Sequence, residues 1–206
     1  MKKHYFSIVS ILLLLLSLIA FSDNLITDVG QESNSDPKFI IHGLFMFAWF
    51  IIFVFQSNFI RKGDYKAHMK WGIAGMLVAI GVFLSTVYVF ITVYKGLDSM
   101  PYFAKANRFF MLSFAVLVVL GYLNRQNGTK HKRFIYMASL LILEPILSRV
   151  SGNLHIDNVE AFIAIVWNGL FISLFVYDWL TLKKIHKISW IGFVWFYIVW
   201  TISILI

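Results

Sequence analysis

The chain has 206 residues, of which 60% are hydrophobic and 14% charged. Soluble domains carry about 45–50% and about 25%, so an ordinary soluble fold is excluded and an integral membrane protein is indicated. A net charge of +8 would suggest nucleic acid in a soluble protein, but here the basic residues gather in alternate loops, which is an orientation signal, and no nucleic-acid partner is expected.

Crossing a ~30 Å hydrocarbon layer takes about 20 apolar residues. Runs that meet or approach that length fall at about 5–22, 39–59, 71–94, 108–123, 134–150, 161–182 and 188–206. The punctuation between them is short and leaves no room for a soluble domain. The expected fold is all-α: one polytopic transmembrane helical bundle over 1–206, with seven spans, or six if the first run is a cleaved signal peptide. Lys2-Lys3-His4 before the first run and Ala20-Phe21-Ser22 after it suit cleavage before Asp23. The length of the run equally suits a retained span.

Residues 23–38 hold Asp23, Asp28, Glu32 and Asp36 without an apolar face, and read as an external polar loop ending at Pro37. Seven spans place the amino terminus inside and the carboxyl terminus outside. On that path Lys2, Lys3, Arg61, Lys62, Lys66, Lys70, Arg125, Lys130, Lys132, Arg133, Lys183, Lys184 and Lys187 all fall inside, as the positive-inside rule requires. Gly72, Gly75 and Ala79 recur at helical spacing in the third span and point to close helix packing. Trp190, Trp195 and Trp200 in the last span read as packing and interfacial anchors.

In the second span His42, Trp49 and Gln56 are spaced by two helical turns and share one face, directed into the bundle. Histidine there suits a structural hydrogen bond, a haem or metal ligand, or a quinone or proton site. Asp64 and His68 stand four apart at the mouth of the third span, an arrangement that can fix an imidazole for a metal or simply open a helix near the headgroups. His131, with Lys130, Lys132 and Arg133, opens the fifth span and reads as a headgroup anchor or as the second internal histidine of a b-type haem.

Glu144-Pro145 interrupts the fifth span. Pro145 lacks an amide hydrogen and frees the Leu141 carbonyl, so a kink is expected. An acid at this depth needs compensation. Arg149 is badly phased to supply it from the same helix, so the expected partner comes from another helix, with His42, Arg108 or Asn168 as candidates. Arg149 should meet an external acceptor or a headgroup phosphate. The absence of cysteine excludes disulfides, thiolate metal sites and a cysteine nucleophile. No phosphate-binding glycine loop, nucleophile elbow or His-Glu-x-x-His motif is present.

His42-Gly43, Trp49, Gln56, Arg61, Gly63, His68, Gly72, His131-Lys132-Arg133, Pro145 and Arg149, with Tyr177-Asp178 closing the sixth span, resemble the pattern of a group of bacterial multi-pass inner-membrane proteins of unassigned function. That group is more distantly similar to cytochrome b561-like and ferric-reductase-like bundles. The resemblance implies a bacterial inner-membrane location and, at the level of fold analogy, haem b. The working hypothesis is a redox or electron-transfer role with haem b held by His68 and His131, with or without His42, and a quinone or a membrane protein as partner in the lipid bilayer. The alternatives are a non-enzymatic structural or assembly partner, and a small-ligand or proton pathway through His42 and Glu144.

Overall fold

A computed structural model describes residues 4–23 and 35–206. Lys2, Lys3, Asp28 and Glu32 lie outside the described residues. Among those described there are eight helices and no strand: α1 Tyr5–Ala20, α2 Pro37–Lys62, α3 Tyr65–Thr92, α4 Tyr102–Leu123, α5 Gly128–Leu141, α6 Glu144–Asn153, α7 Val159–Leu182 and α8 Lys187–Leu205. α2, α3, α4, α7 and α8 are each long and apolar enough to cross a membrane, and the bent pair α5 and α6 adds a sixth crossing if it is one span. α1 has 16 residues, about 24 Å at 1.5 Å per residue, short of a full hydrocarbon layer. Side chains such as Ile73, Leu77, Ile91 and Ile165 stand outward with well over half their surface uncovered, which lipid accommodates and water would not.

Capping explains where several helices start and why some differ from the apolar runs. The first N–H groups of a helix lack intrahelical partners, and a side-chain acceptor supplies one. Asp36 accepts from Lys38 N at 3.1 Å, with Pro37 in the first turn. Asp64 accepts from Ala67 N at 2.9 Å, so α3 begins at Tyr65 rather than at the hydropathy edge near residue 71. Asn127 and Asn158 cap α5 and α7 in the same way. α4 starts at Tyr102, just after Pro101 and without a side-chain cap, rather than near 108.

The chain divides into two compact units, Met1–Val93 with Ile146–Ile156, and Tyr94–Pro145 with Asp157–Ile206. In the first, α2 and α3 form an antiparallel hairpin closed by Gly63, whose positive φ of 78° suits a residue without a Cβ. The hairpin keeps one register along its length: Phe55 meets Trp71, Ile52 lies against Gly75, Phe45 fills the space at Gly81, and His42 meets Ser85. α1 packs on α2 through a hydroxyl seam, with Ser10 Oγ 2.8 Å from Ser57 Oγ and Ser7 Oγ donating to Ser57 O. Such small polar contacts join helices in lipid, where apolar burial gives little drive.

In the second unit α4, α5, α7 and α8 run alternately up and down. Phe110, Trp167, Phe171 and Phe196 are buried at its centre, and the Trp167 and Phe196 rings lie 4.5 Å apart. Trp167 Nε1 donates to Leu140 O at 2.8 Å and Tyr136 Oη to Leu170 O at 3.0 Å, so the polar tips of buried aromatics are spent on backbone carbonyls. The expected kink before Pro145 is a complete break: helix stops at Leu141 and resumes at Glu144, with the two pieces inclined at 50°. Proline fits a first turn, where its missing N–H has no intrahelical acceptor.

Candidate functional site

The break places Glu144 at the start of α6 with only 6% of its surface exposed. Asn107 Nδ2 of α4 donates to Glu144 Oε2 at 2.5 Å. Compensation therefore does come from another helix, but through a neutral amide rather than through His42, Arg108 or Asn168. Arg108 is turned along its own helix, its Nη1 donating to Ala104 O at 2.9 Å. Asn168 bridges Ala164 O and the Tyr197 hydroxyl, which donates to its Oδ1 at 2.7 Å. Near the same end of the unit, Tyr102 Oη donates to Glu160 Oε1 at 2.5 Å, joining the first turns of α4 and α7.

At the opposite end of this unit lies a second buried acid, Asp178, which the sequence offered only within the Tyr177-Asp178 motif and not as a buried charge. Asp178 and Arg133 form an ion pair in which both side chains are fully buried. Asp178 Oδ2 also accepts from His186 N at 2.9 Å and from Ser189 Oγ at 2.7 Å, and Arg133 Nη1 donates to Thr129 O at 2.6 Å. One carboxylate thus ties α5, α7, the 183–186 turn and α8 together. Arg133 is accordingly no headgroup anchor, unlike its exposed neighbour Lys130. Lys132 Nζ reaches the Tyr177 hydroxyl at 2.8 Å and lies over its ring. The cost argument that singled out Glu144 applies equally to an acid near the end of an apolar run, and would have found Asp178.

The histidines are dispersed. His42 Nδ1 contacts Ser85 Oγ at 3.2 Å and Thr86 Oγ1 at 3.4 Å, both on α3. His68 sits in the first turn of α3, whose cap is Asp64, and donates its backbone N–H to Asp64 O. His131 Nδ1 lies 2.8 Å from Gly121 O; a carbonyl only accepts, so Nδ1 carries the hydrogen. His186 caps α8, its Nδ1 accepting from Ile188 N at 3.1 Å. Burial, followed by the nearby Arg133, holds the His186 imidazole below its ordinary value of 6.5. Among the described residues no group of three or more His, Cys, Asp or Glu side chains could hold a metal ion.

Along the face of α2, Trp49 is buried and both amide atoms of Gln56 are buried without a hydrogen bond among the described residues, so the stripe does turn inward. Arg149 lies over the Phe21 ring at 5.0 Å, a cation–π contact. No protein family, curated protein or solved structure matches this chain.

Proposed function

We propose that this is a multi-pass protein of the bacterial inner membrane, amino terminus inside and carboxyl terminus outside, in which Glu144 takes up and releases a proton, alone or with a small polar ligand. With α1 also crossing, the eight helices make seven spans, and the clusters Arg61–Lys70, Arg125–Arg133 and Lys183–Lys187 fall on the inner side, in keeping with the positive-inside rule. The resemblance to bacterial multi-pass proteins supports the location.

The observation that carries the proposal is the contrast between the two buried acids. Asp178 is neutralised by Arg133 and takes two further donors. Glu144 has an amide for a partner, at a break in a span. An amide N–H can donate to a carboxylate and, more weakly, to the carbonyl oxygen of a carboxylic acid, so Asn107 stays a partner whether or not the proton is present. Ionisable groups within spans commonly serve proton or substrate pathways, and discontinuous helices commonly line such sites. The test is the thermal unfolding midpoint of the full chain in lipid nanodiscs as a function of pH. A pH-dependent step present in wild type and missing from Glu144→Gln is expected; superimposable profiles would reject the proposal.

A second reading, haem b with a quinone as electron partner, is favoured by His131 alone. Its Nδ1–H bond to Gly121 O fixes the ring and leaves the lone pair of the neutral imidazole on Nε2, as second-shell carbonyls do for metal-bound histidines. Haem there would supply one-electron chemistry. A Soret band lost in His131→Ala supports this reading, and a colourless preparation from haem-replete cells rejects it.

A further inference from the structure

The geometry points to a lipid site: the end of the second unit that holds Asp178 binds the phosphate of an anionic phospholipid, at the turn 183–187 between α7 and α8 and beside the first turn of α5. Hydrogen bonds bring these two segments together. Arg133 Nη1 donates to Thr129 O in the first turn of α5, Arg133 Nη2 pairs with Asp178 Oδ1, and Asp178 Oδ2 accepts from His186 N. Lys130, next to Thr129, therefore shares this end with Lys183, Lys184 and Lys187.

The charge here is one-sided. The stretches 125–133 and 183–187 contain seven lysines and arginines, whereas Asp178, the acid at this end, is fully buried and taken by Arg133. The other acids of the unit, Asp98, Glu144, Asp157 and Glu160, lie near the starts of α4, α6 and α7, toward the opposite end. Lys130, Lys183, Lys184 and Lys187 are exposed, and among the described residues no hydrogen bond or ion pair engages their amines. Lys183 also adopts a left-handed backbone, with φ of 60°, at the helix end where glycine is favoured, so a lysine is kept there against local strain. His186 Nδ1 accepts from Ile188 N, which leaves the hydrogen of the neutral ring on Nε2, a further donor within the same turn.

Apolar neighbours select a lipid over a soluble anion. Ile185 is 41% exposed in the middle of the lysines. Trp179 and Trp190, four residues before Lys183 and three after Lys187, are also exposed, and tryptophan so placed belongs at headgroup level. Lys187, Val194 and Ile198 follow one another at seven and four residues and share one face of α8. Val194 and Ile198 line a groove of about 400 Å³ with Phe193, Tyr197, Thr201 and Ile202. Phe193 stands six residues beyond Lys187, a rise of about 9 Å, so an acyl chain can lie along the groove while its phosphate meets the lysines. Basic groups at the ends of membrane helices attract anionic headgroups in this way.

The experiment uses the full chain in a non-ionic detergent, titrated with phosphatidylglycerol or with phosphatidylcholine of the same acyl chains, and bound lipid is counted by native mass spectrometry. Phosphatidylglycerol should bind about tenfold or more tightly than phosphatidylcholine, and Lys184→Gln and Lys187→Gln should each weaken it about fivefold with phosphatidylcholine unchanged. Both lysines are exposed and unbonded, so neither substitution should unsettle the fold. Lys66→Gln, an exposed lysine of α3 in the other unit, should leave both affinities at their wild-type values. Equal affinity for the two lipids, wild-type affinity in both site variants, or an equal loss in Lys66→Gln overturns the site, the last by showing diffuse attraction only. Complete displacement of phosphatidylglycerol by millimolar inorganic phosphate overturns the lipid as ligand and identifies a free-anion site.

Discussion

Asn107 and Glu144 share a single 2.5 Å hydrogen bond in a buried setting, so their effects on stability should be coupled. A double-mutant cycle of Asn107→Ala and Glu144→Gln, read as thermal stability in detergent, should give an interaction term of about 0.5–3 kcal/mol. The same cycle with Asn168→Ala should be additive within about 0.5 kcal/mol, since Asn168 is engaged with Ala164 and Tyr197. At the other buried acid, Asp178→Ala strands Arg133 in the interior and should cost about 3–5 kcal/mol, with much of that recovered in Arg133→Met/Asp178→Leu. His186 adds a pH term. Burial, Arg133, Lys130 and Lys184 disfavour its protonated form against the pull of Asp178, and its Nδ1 must keep a lone pair for Ile188 N. Below 6.5 the unfolded chain takes up a proton that the folded chain resists. The stability contribution is therefore present above that value and lost as pH falls through the lower folded value. The acid-side decline in melting midpoint should flatten in His186→Asn, which retains a capping oxygen.

Helix pairing makes its own test at Gly81. A Cβ there would lie 2.2 Å from a ring carbon of Phe45, whereas a Cβ at Gly72 would meet nothing within 4 Å. Gly81→Ala should destabilise by about 1–3 kcal/mol and be relieved by Phe45→Ala, while Gly72→Ala should be neutral or stabilise by up to about 1 kcal/mol. Gly75 and Ala79 were legible as packing residues from their spacing, and both are buried. Gly72 shares that spacing but opens on space, and Gly81 falls outside it, because periodicity gives a face and not the size of the opposing side chain. The break at Glu144-Pro145 was legible because proline has a fixed local consequence. Helix starts at Tyr65 and Tyr102 were not: the Asp64 cap extends α3 beyond its apolar run, and α4 opens after Pro101 without a side-chain cap.

At the scale of the whole chain, membrane class and helical architecture follow from hydropathy, which sums over many residues and tolerates local error. Partner choice does not sum in this way. Glu144 needed compensation on energetic grounds, yet Asn107 and Arg108 are adjacent in sequence and only the rotation of α4 selects the amide over the guanidinium. For the same reason Arg133 read as part of a surface cluster, although the pairing of α5 with α7 buries it against Asp178. What separates the two acids is the partner each one has, and from that difference comes the central claim that Glu144 carries an exchangeable proton. Infrared difference spectroscopy of the full chain in lipid bilayers, between about pH 9 and about pH 4, reads that proton directly. The expected result is a protonated-carboxyl band that grows toward acid in wild type and is missing from Glu144→Gln; identical difference spectra for the two proteins would contradict it.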